Sequence, residues 1–136
     1  MKAAKAAFIL SMPKAAALTA TCHCGAVRVE VPYKPRRLTT CNCSICRRYG
    51  ALWAYYPVKK VRLRHDRGGI DHYSWGERMI DFVRCSNCGT VMCWRPTGRA
   101  KQRERMGVNA NNLDPGLIAS ARIRRLDGAS TWKFLD

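Results

Sequence analysis

"CSNCG" (residues 85–89) is the stretch from which the rest of the chain is read. Two cysteines separated by two residues can bind one tetrahedral ion. A glycine directly after them permits the left-handed backbone that turns amide N–H groups toward the sulfurs. That is the shape of a zinc knuckle. One knuckle offers two ligands, whereas a structural zinc takes four, so a second pair has to come from elsewhere. "CHC" (22–24) and "CNCSIC" (41–46), together with the knuckle, hold seven of the eight cysteines. Cys22 and Cys24 supply the missing pair most economically, because Cys41, Cys43 and Cys46 then remain as a self-contained set. A site of Cys22, Cys24, Cys85 and Cys88 closes a loop of about sixty residues and strongly restricts the unfolded chain. The trio would hold a metal through three thiolates and keep a fourth position for water or substrate. Closed sites are structural and open sites catalytic.

Other readings of the same cysteines stay open at this point. Disulfides would suit an exported protein, but a bridge within Cys-x-Cys closes a small strained ring. The fourth position of the trio can be completed by His65, His72 or Cys93, which would make both sites structural. His23, between two ligands, is expected to point away from the metal. Cys93, within "VMCW" (91–94), is expected to be a buried small hydrophobe. Four thiolates also suit iron, although the knuckle with its glycine favours zinc.

Strands surround the cysteines. "GAVRVEV" (25–31) alternates Val27, Val29 and Val31 with Arg28 and Glu30, the period of a half-buried strand. Further short strands are expected over 51–58, 61–65, 70–75, 78–84, 91–94, 104–110 and 121–127. Gly68, Gly69 and Gly76 mark turns between them. Helix is scarce: a turn or two over 44–50 ending at Gly50, and a start at Asp114 with Pro115 in the first helical position. The expectation is a mainly β fold of antiparallel sheets with metal-bearing loops.

The chain has 136 residues, the size of one domain with a modest core, for which a structural metal adds useful stability. No run of eighteen apolar residues exists to span a membrane. Residues 1–20 faintly resemble a secretory signal, but Pro13 and Lys14 interrupt them; they are expected to be a disordered extension or a start-site artefact, with the zinc-binding domain over 21–136. Lys and Arg number 25 against nine Asp and Glu, a net charge of +16. Seven thiolates with two zinc ions would lower this by three, so the chain stays basic. Such an excess suits nucleic acid, an anionic surface or an acidic substrate. Only 59–67 and 98–105 are dense in basic residues, and Arg62 and Arg64 alternate with Val61 and Leu63 as on an outer strand face.

"CHCGAVRVEV" (22–31), "CNCSICRRYGALWA" (41–54) and "RCSNCGTVMCW" (84–94), in that order, resemble the family of glutathione-dependent formaldehyde-activating enzymes and centromere protein V. The resemblance runs from about Thr21 to Thr131. It implies a β-tent-like arrangement of antiparallel sheets and two zinc ions per chain. Cys22, Cys24, Cys85 and Cys88 would hold the structural ion, and Cys41, Cys43 and Cys46 the reactive one. The implied reaction joins formaldehyde to the thiol of glutathione, giving S-hydroxymethylglutathione, and is classed with the carbon–sulfur lyases; the implied compartment is the cytoplasm. Arg47 and Arg48 stand near enough in sequence to meet the two carboxylates of glutathione, and Trp53, Tyr55 and Tyr56 to line an apolar wall. Asp71, Glu77 and Asp81 read as surface charges, and no general base is identifiable. The other reading is a zinc-stabilised module that binds nucleic acid or protein without catalysis. A third is a redox or zinc-buffering role for the trio.

Overall fold

The computed structural model describes residues 18–136 except Arg67 and Lys101. The reading of residues 1–20 as an extension therefore falls, for its first 17 residues, outside the described residues. Among the described residues ten strands form two sheets. The smaller consists of β1 (Thr19–Thr21), β2 (Val27–Glu30) and β5 (Arg62–His65), in the order β1-β2-β5. The larger contains β3 (Arg37–Cys41), β4 (Trp53–Pro57), β6 (Ile70–Tyr73), β7 (Ile80–Cys85), β8 (Val91–Pro96), β9 (Arg105–Asn109) and β10 (Arg122–Leu126). Its order is β10-β3-β4-β9-β8-β7-β6. The fold is mainly β, as the strand pattern indicated.

Alternation along the strands sorts side chains to two faces. On the small sheet Val27 and Val29 turn inward and are fully buried, and Arg28 and Arg64 lie side by side on the outer face. Glu30 meets Arg64 there at 2.9 Å and Asp66 meets Arg28 at 3.1 Å. The inner face of the large sheet presents Ala54, Tyr56, Val83, Met92, Met106 and Val108 to Ala20, Val27 and Val29, and these form the main core. The opposite face carries a second cluster around Trp53, Phe82 and Cys46. Met92 is fully buried in the main core. Met92→Ala is expected to cost about 2–5 kcal/mol in urea unfolding of the metal-loaded protein. A loss below about 1 kcal/mol would mean that these two faces do not make the core.

Several features depart from the expected pattern, among them β1 and β3, which lie outside the expected strands. β10 pairs parallel to β3, from Arg122 beside Arg37 to Leu126 beside Cys41, so the large sheet is mixed. The whole run from β4 onward provides the crossover that a parallel pair requires. β3 and β4 meet only at Thr39 and Trp53, then diverge. Positive φ at Arg78 (58°) breaks the expected strand 78–84, and β7 begins at Ile80. Among the described residues the two α-helices are single turns. α1 (Cys46–Tyr49) ends at Gly50 with φ 63°, and α2 (Pro115–Ile118) is capped by Asp114, whose carboxylate accepts from the Gly116 N–H at 2.8 Å.

Candidate functional site

The seven clustered cysteines separate into two groups with different surroundings. The Sγ atoms of Cys22, Cys24, Cys85 and Cys88 lie within 4.8 Å of one another, as do those of Cys41, Cys43 and Cys46. In the first group Cys22 follows β1 of the small sheet and Cys85 ends β7 of the large one, so the group stands where the two sheets meet. The knuckle has the expected geometry. Gly89 takes φ 78°, its N–H donates to the Cys85 carbonyl at 2.9 Å, and the Asn87 and Cys88 N–H groups donate to Cys85 Sγ at 3.3 and 3.5 Å. On the other side the Val27 N–H donates to Cys22 Sγ at 3.2 Å.

Cys22 and Cys24 Sγ are 3.6 Å apart, and Cys24 and Cys85 Sγ 3.7 Å. These separations are far beyond a disulfide bond. They match the ~3.8 Å between thiolates arranged tetrahedrally around a zinc at ~2.3 Å. The donor set fits a zinc ion. Burial pushes the Cys22 thiol up to about 11 against the pull of the Val27 N–H. At Cys88 burial also acts upward, but hydrogen bonds from Thr90 and the Cys24 backbone outweigh it and bring the thiol down to about 5.

The trio sits on the other face of the large sheet. Cys41 ends β3, Cys46 opens α1, and the loop between them bends so that the Cys46 N–H donates to Cys43 Sγ at 3.4 Å. The Trp53 indole N–H donates to Cys46 Sγ at 3.4 Å from the neighbouring strand. Burial raises the Cys41 and Cys46 thiols. It acts upward on Cys43 too, but hydrogen bonds from the Cys46 and Ile45 backbones and from the neighbouring thiols leave Cys43 below its ordinary value. Cys43 is thus the first of the three to ionise.

Among the described residues no fourth Cys, His, Asp or Glu joins this group. His72 lies on β6, 3.8 Å from Asp81, and His65 lies exposed on β5. Cys93 is fully buried in the main core, and burial raises it to about 12. His23 is exposed, its backbone N–H on Thr90 Oγ1 at 3.3 Å.

The trio opens into a chamber of about 910 Å³. All four tryptophans of the chain border it: Trp53 and Trp94 from the sheet, Trp75 and Trp132 at the rim. Tyr55 meets Trp94 edge-on at 6.0 Å, and Phe82 lies 6.2 Å from Trp53. Gly107 of β9 is what lets Trp94 lie flat across the sheet, since a side chain there would collide with its indole. Tyr56, in contrast, faces the inner side, where its hydroxyl donates to the Tyr33 carbonyl at 3.0 Å. Of the adjacent arginines, Arg47 lines the chamber, while Arg48 turns back to the Ser44 carbonyl at 2.7 Å.

Several bordering residues carry no signal in the sequence. The turn after β10 folds over the trio and is tied to the loop between its cysteines. Asn42 Nδ2 donates to Asp127 Oδ1 and the Ala129 N–H donates to Asn42 Oδ1, both at 2.9 Å. Hydrogen bonds from Asn42 and Thr131 hold the Asp127 carboxyl below the usual carboxylate range. Gly128 presses so closely on Cys41 Sγ that any side chain would collide with it. Trp132 is held at φ 60°, a conformation costly for a bulky residue, with its N–H on the Asp127 carbonyl at 2.8 Å. Glu104 is the one carboxylate among the described residues lining the chamber, flanked by Arg103 and Arg105. Asp71, Glu77 and Asp81 do not border it.

Among the described residues no helix is long and apolar enough to cross a membrane. A crystal structure of a Rhodobacter sphaeroides protein is similar to this one, with a TM-score of 0.63 and 28% sequence identity, over 77% of this chain and 98% of that one. Residues 17–125 match the model of the family described as "Glutathione-dependent formaldehyde-activating enzyme". That match takes in both cysteine groups and the strands that carry them, and the chain belongs to this family.

Proposed function

We propose that this protein is a zinc-dependent enzyme that forms or breaks the carbon–sulfur bond of a thiol–aldehyde adduct, with glutathione as the thiol and formaldehyde as the aldehyde. The observation that carries the reading is a three-cysteine group with no fourth protein ligand among the described residues, open to a chamber of substrate size. Cys22, Cys24, Cys85 and Cys88 would hold a structural zinc, and Cys41, Cys43 and Cys46 a second one. A zinc at the trio would supply an open coordination position, which lowers the pKa of a bound thiol and polarises an aldehyde oxygen.

The chain's own groups do the rest. The substrate thiol gives up its proton, its sulfur bonds to the aldehyde carbon, and the carbonyl electron pair moves to oxygen, which takes a proton. Glu104, on the chamber wall, is the carboxylate suited to accept the first proton and return the second. Arg47, Arg103 and Arg105 offer the positive charge that the carboxylates of glutathione require. The aromatic walls hold both partners together and exclude water. The addition is easy without a catalyst, so the expected rate gain is modest.

The test is exchange of ¹³C-formaldehyde with its glutathione adduct, followed by NMR. Acceleration by the zinc-loaded protein is expected, and exchange at the uncatalysed rate would remove formaldehyde–glutathione catalysis from the reading. Gly128→Ala is expected to push Cys41 out of place. It should lower zinc content toward one ion per chain by native mass spectrometry while the melting transition stays cooperative. Two ions retained in that variant would show that the turn over the trio does not constrain it.

A further inference from the structure

A second cavity, of about 980 Å³, opens beside the thiol chamber where β3 and β4 diverge beyond their single meeting point at Thr39 and Trp53. It lies outside the trio. Lys34 and Arg36 enter it from the segment leading into β3, Arg37 from the start of β3, Arg105 from β9 and Arg124 from β10. Among the described residues no acidic one lines it. The small sheet shows the contrast: there Arg28 is paired with Asp66 and Arg64 with Glu30. Among the described residues Lys34, Arg36, Arg37 and Arg105 have no ion-pair partner. Arg37 also stands directly beside Arg122 in the parallel ladder, an arrangement of like charges that costs stability unless an anion relieves it.

Arg124 gives an independent sign. Among the described residues its Nε is buried without a hydrogen-bond partner, and Asp136, the acid it faces, is 3.8 Å away, beyond hydrogen-bond reach. Its guanidinium carbon stacks 3.8 Å from the Phe134 ring centroid, which fixes the group in place. The cavity also has a flat apolar side. Tyr33 is 49% exposed and packs against Tyr56 at 5.2 Å, leaving ring surface free.

We propose that this cleft is a binding site for a small organic phosphate carrying a planar group, its phosphates on the arginines and its ring on Tyr33. Five converging cations exceed what one carboxylate needs. A phosphate ester carries up to about two charges and accepts paired guanidinium hydrogen bonds. Tyr55 and Arg105 border both cavities, so this ligand would lie next to the thiol chamber. The site does not depend on which reaction the trio performs.

Titration calorimetry of the full zinc-loaded protein, at physiological salt, tests this with pyrophosphate and ADP as probes. One molecule per chain is expected, with ADP at least about fivefold tighter than pyrophosphate because of the ring. Arg37→Ala and Arg36→Ala, both at exposed positions, should each weaken both probes about tenfold without lowering the melting temperature. Tyr33→Ala should remove only the advantage of ADP. Arg62→Ala, on the outer face of the small sheet, should change nothing. Equal weakening by Arg62→Ala would reduce the cleft to general basic charge and overturn the proposal. So would the absence of saturable binding, or ADP no tighter than pyrophosphate. Oligothymidylate binding about tenfold tighter than ADP would also overturn it, in favour of an extended strand.

Discussion

Cys88→Ser is expected to lose one zinc per chain and with it the cooperative fold. Cys22 leaves the small sheet and Cys85 ends a strand of the large one, so a zinc held by the four-cysteine group would fasten the two sheets at one end. Both of these cysteines are also members of the main core. A structural zinc in a small domain contributes on the order of 10 kcal/mol of linked folding free energy. A domain of this size has only about 5–15 kcal/mol in total. Serine offers no thiolate, and at Cys88 it replaces the thiol that hydrogen bonds already favour as thiolate near neutral pH. Removing the metal from the unmodified chain with a strong chelator should have the same outcome, seen as loss of the thermal transition in circular dichroism. A Cys88→Ser protein that melts cooperatively within a few degrees of the parent would assign the structural role elsewhere.

The cysteines and the alternating strands were legible because each carries its own signal. Ligand spacing is local, and a strand with one buried face repeats every second residue, as Val27 and Val29 do. β3, "RLTTC", has no such alternation: Leu38 and Thr39 are both buried, because one faces the core and the other the side of the sheet that bears the trio. β1 is three residues long, too short to show a period. The chamber was legible only in part. Trp53 and Tyr55 follow the trio closely in sequence, whereas Trp75, Glu104, Gly128 and Trp132 reach it through strand order and the turn after β10. The parallel β3–β10 pair brings that turn to the trio, and nothing in a run such as "ARIRRLD" announces its neighbour. The basic residues divide the same way. Their number is visible in the sequence, but the gathering of five of them around one cleft depends on where β3, β9 and β10 lie in the sheet.

Cys43→Ser should have the opposite profile to Cys88→Ser: a folded protein that holds one zinc and no longer engages a thiol. Cys43 lies in the loop between β3 and α1, on the face of the large sheet away from the main core, and belongs only to the fringe of the second cluster. Serine is nearly isosteric, so the loss to packing is small. The loss to the site is not. Cys43 is the thiol of the trio that ionises first, and two remaining thiols, both pushed upward by burial, make a poor metal site at neutral pH. Acceleration of formaldehyde–glutathione exchange should be lost in full, leaving the uncatalysed rate, because the open position disappears with the ion. Native mass spectrometry with reduced glutathione separates the possible outcomes. The parent should show two zincs and a glutathione adduct, and the variant one zinc and no adduct, with closely similar melting temperatures. If Cys43→Ser instead unfolds while Cys88→Ser stays folded and loses the adduct, the structural and reactive sites have been assigned the wrong way round. An adduct that survives Cys43→Ser would place glutathione elsewhere on the protein and leave the trio without its substrate.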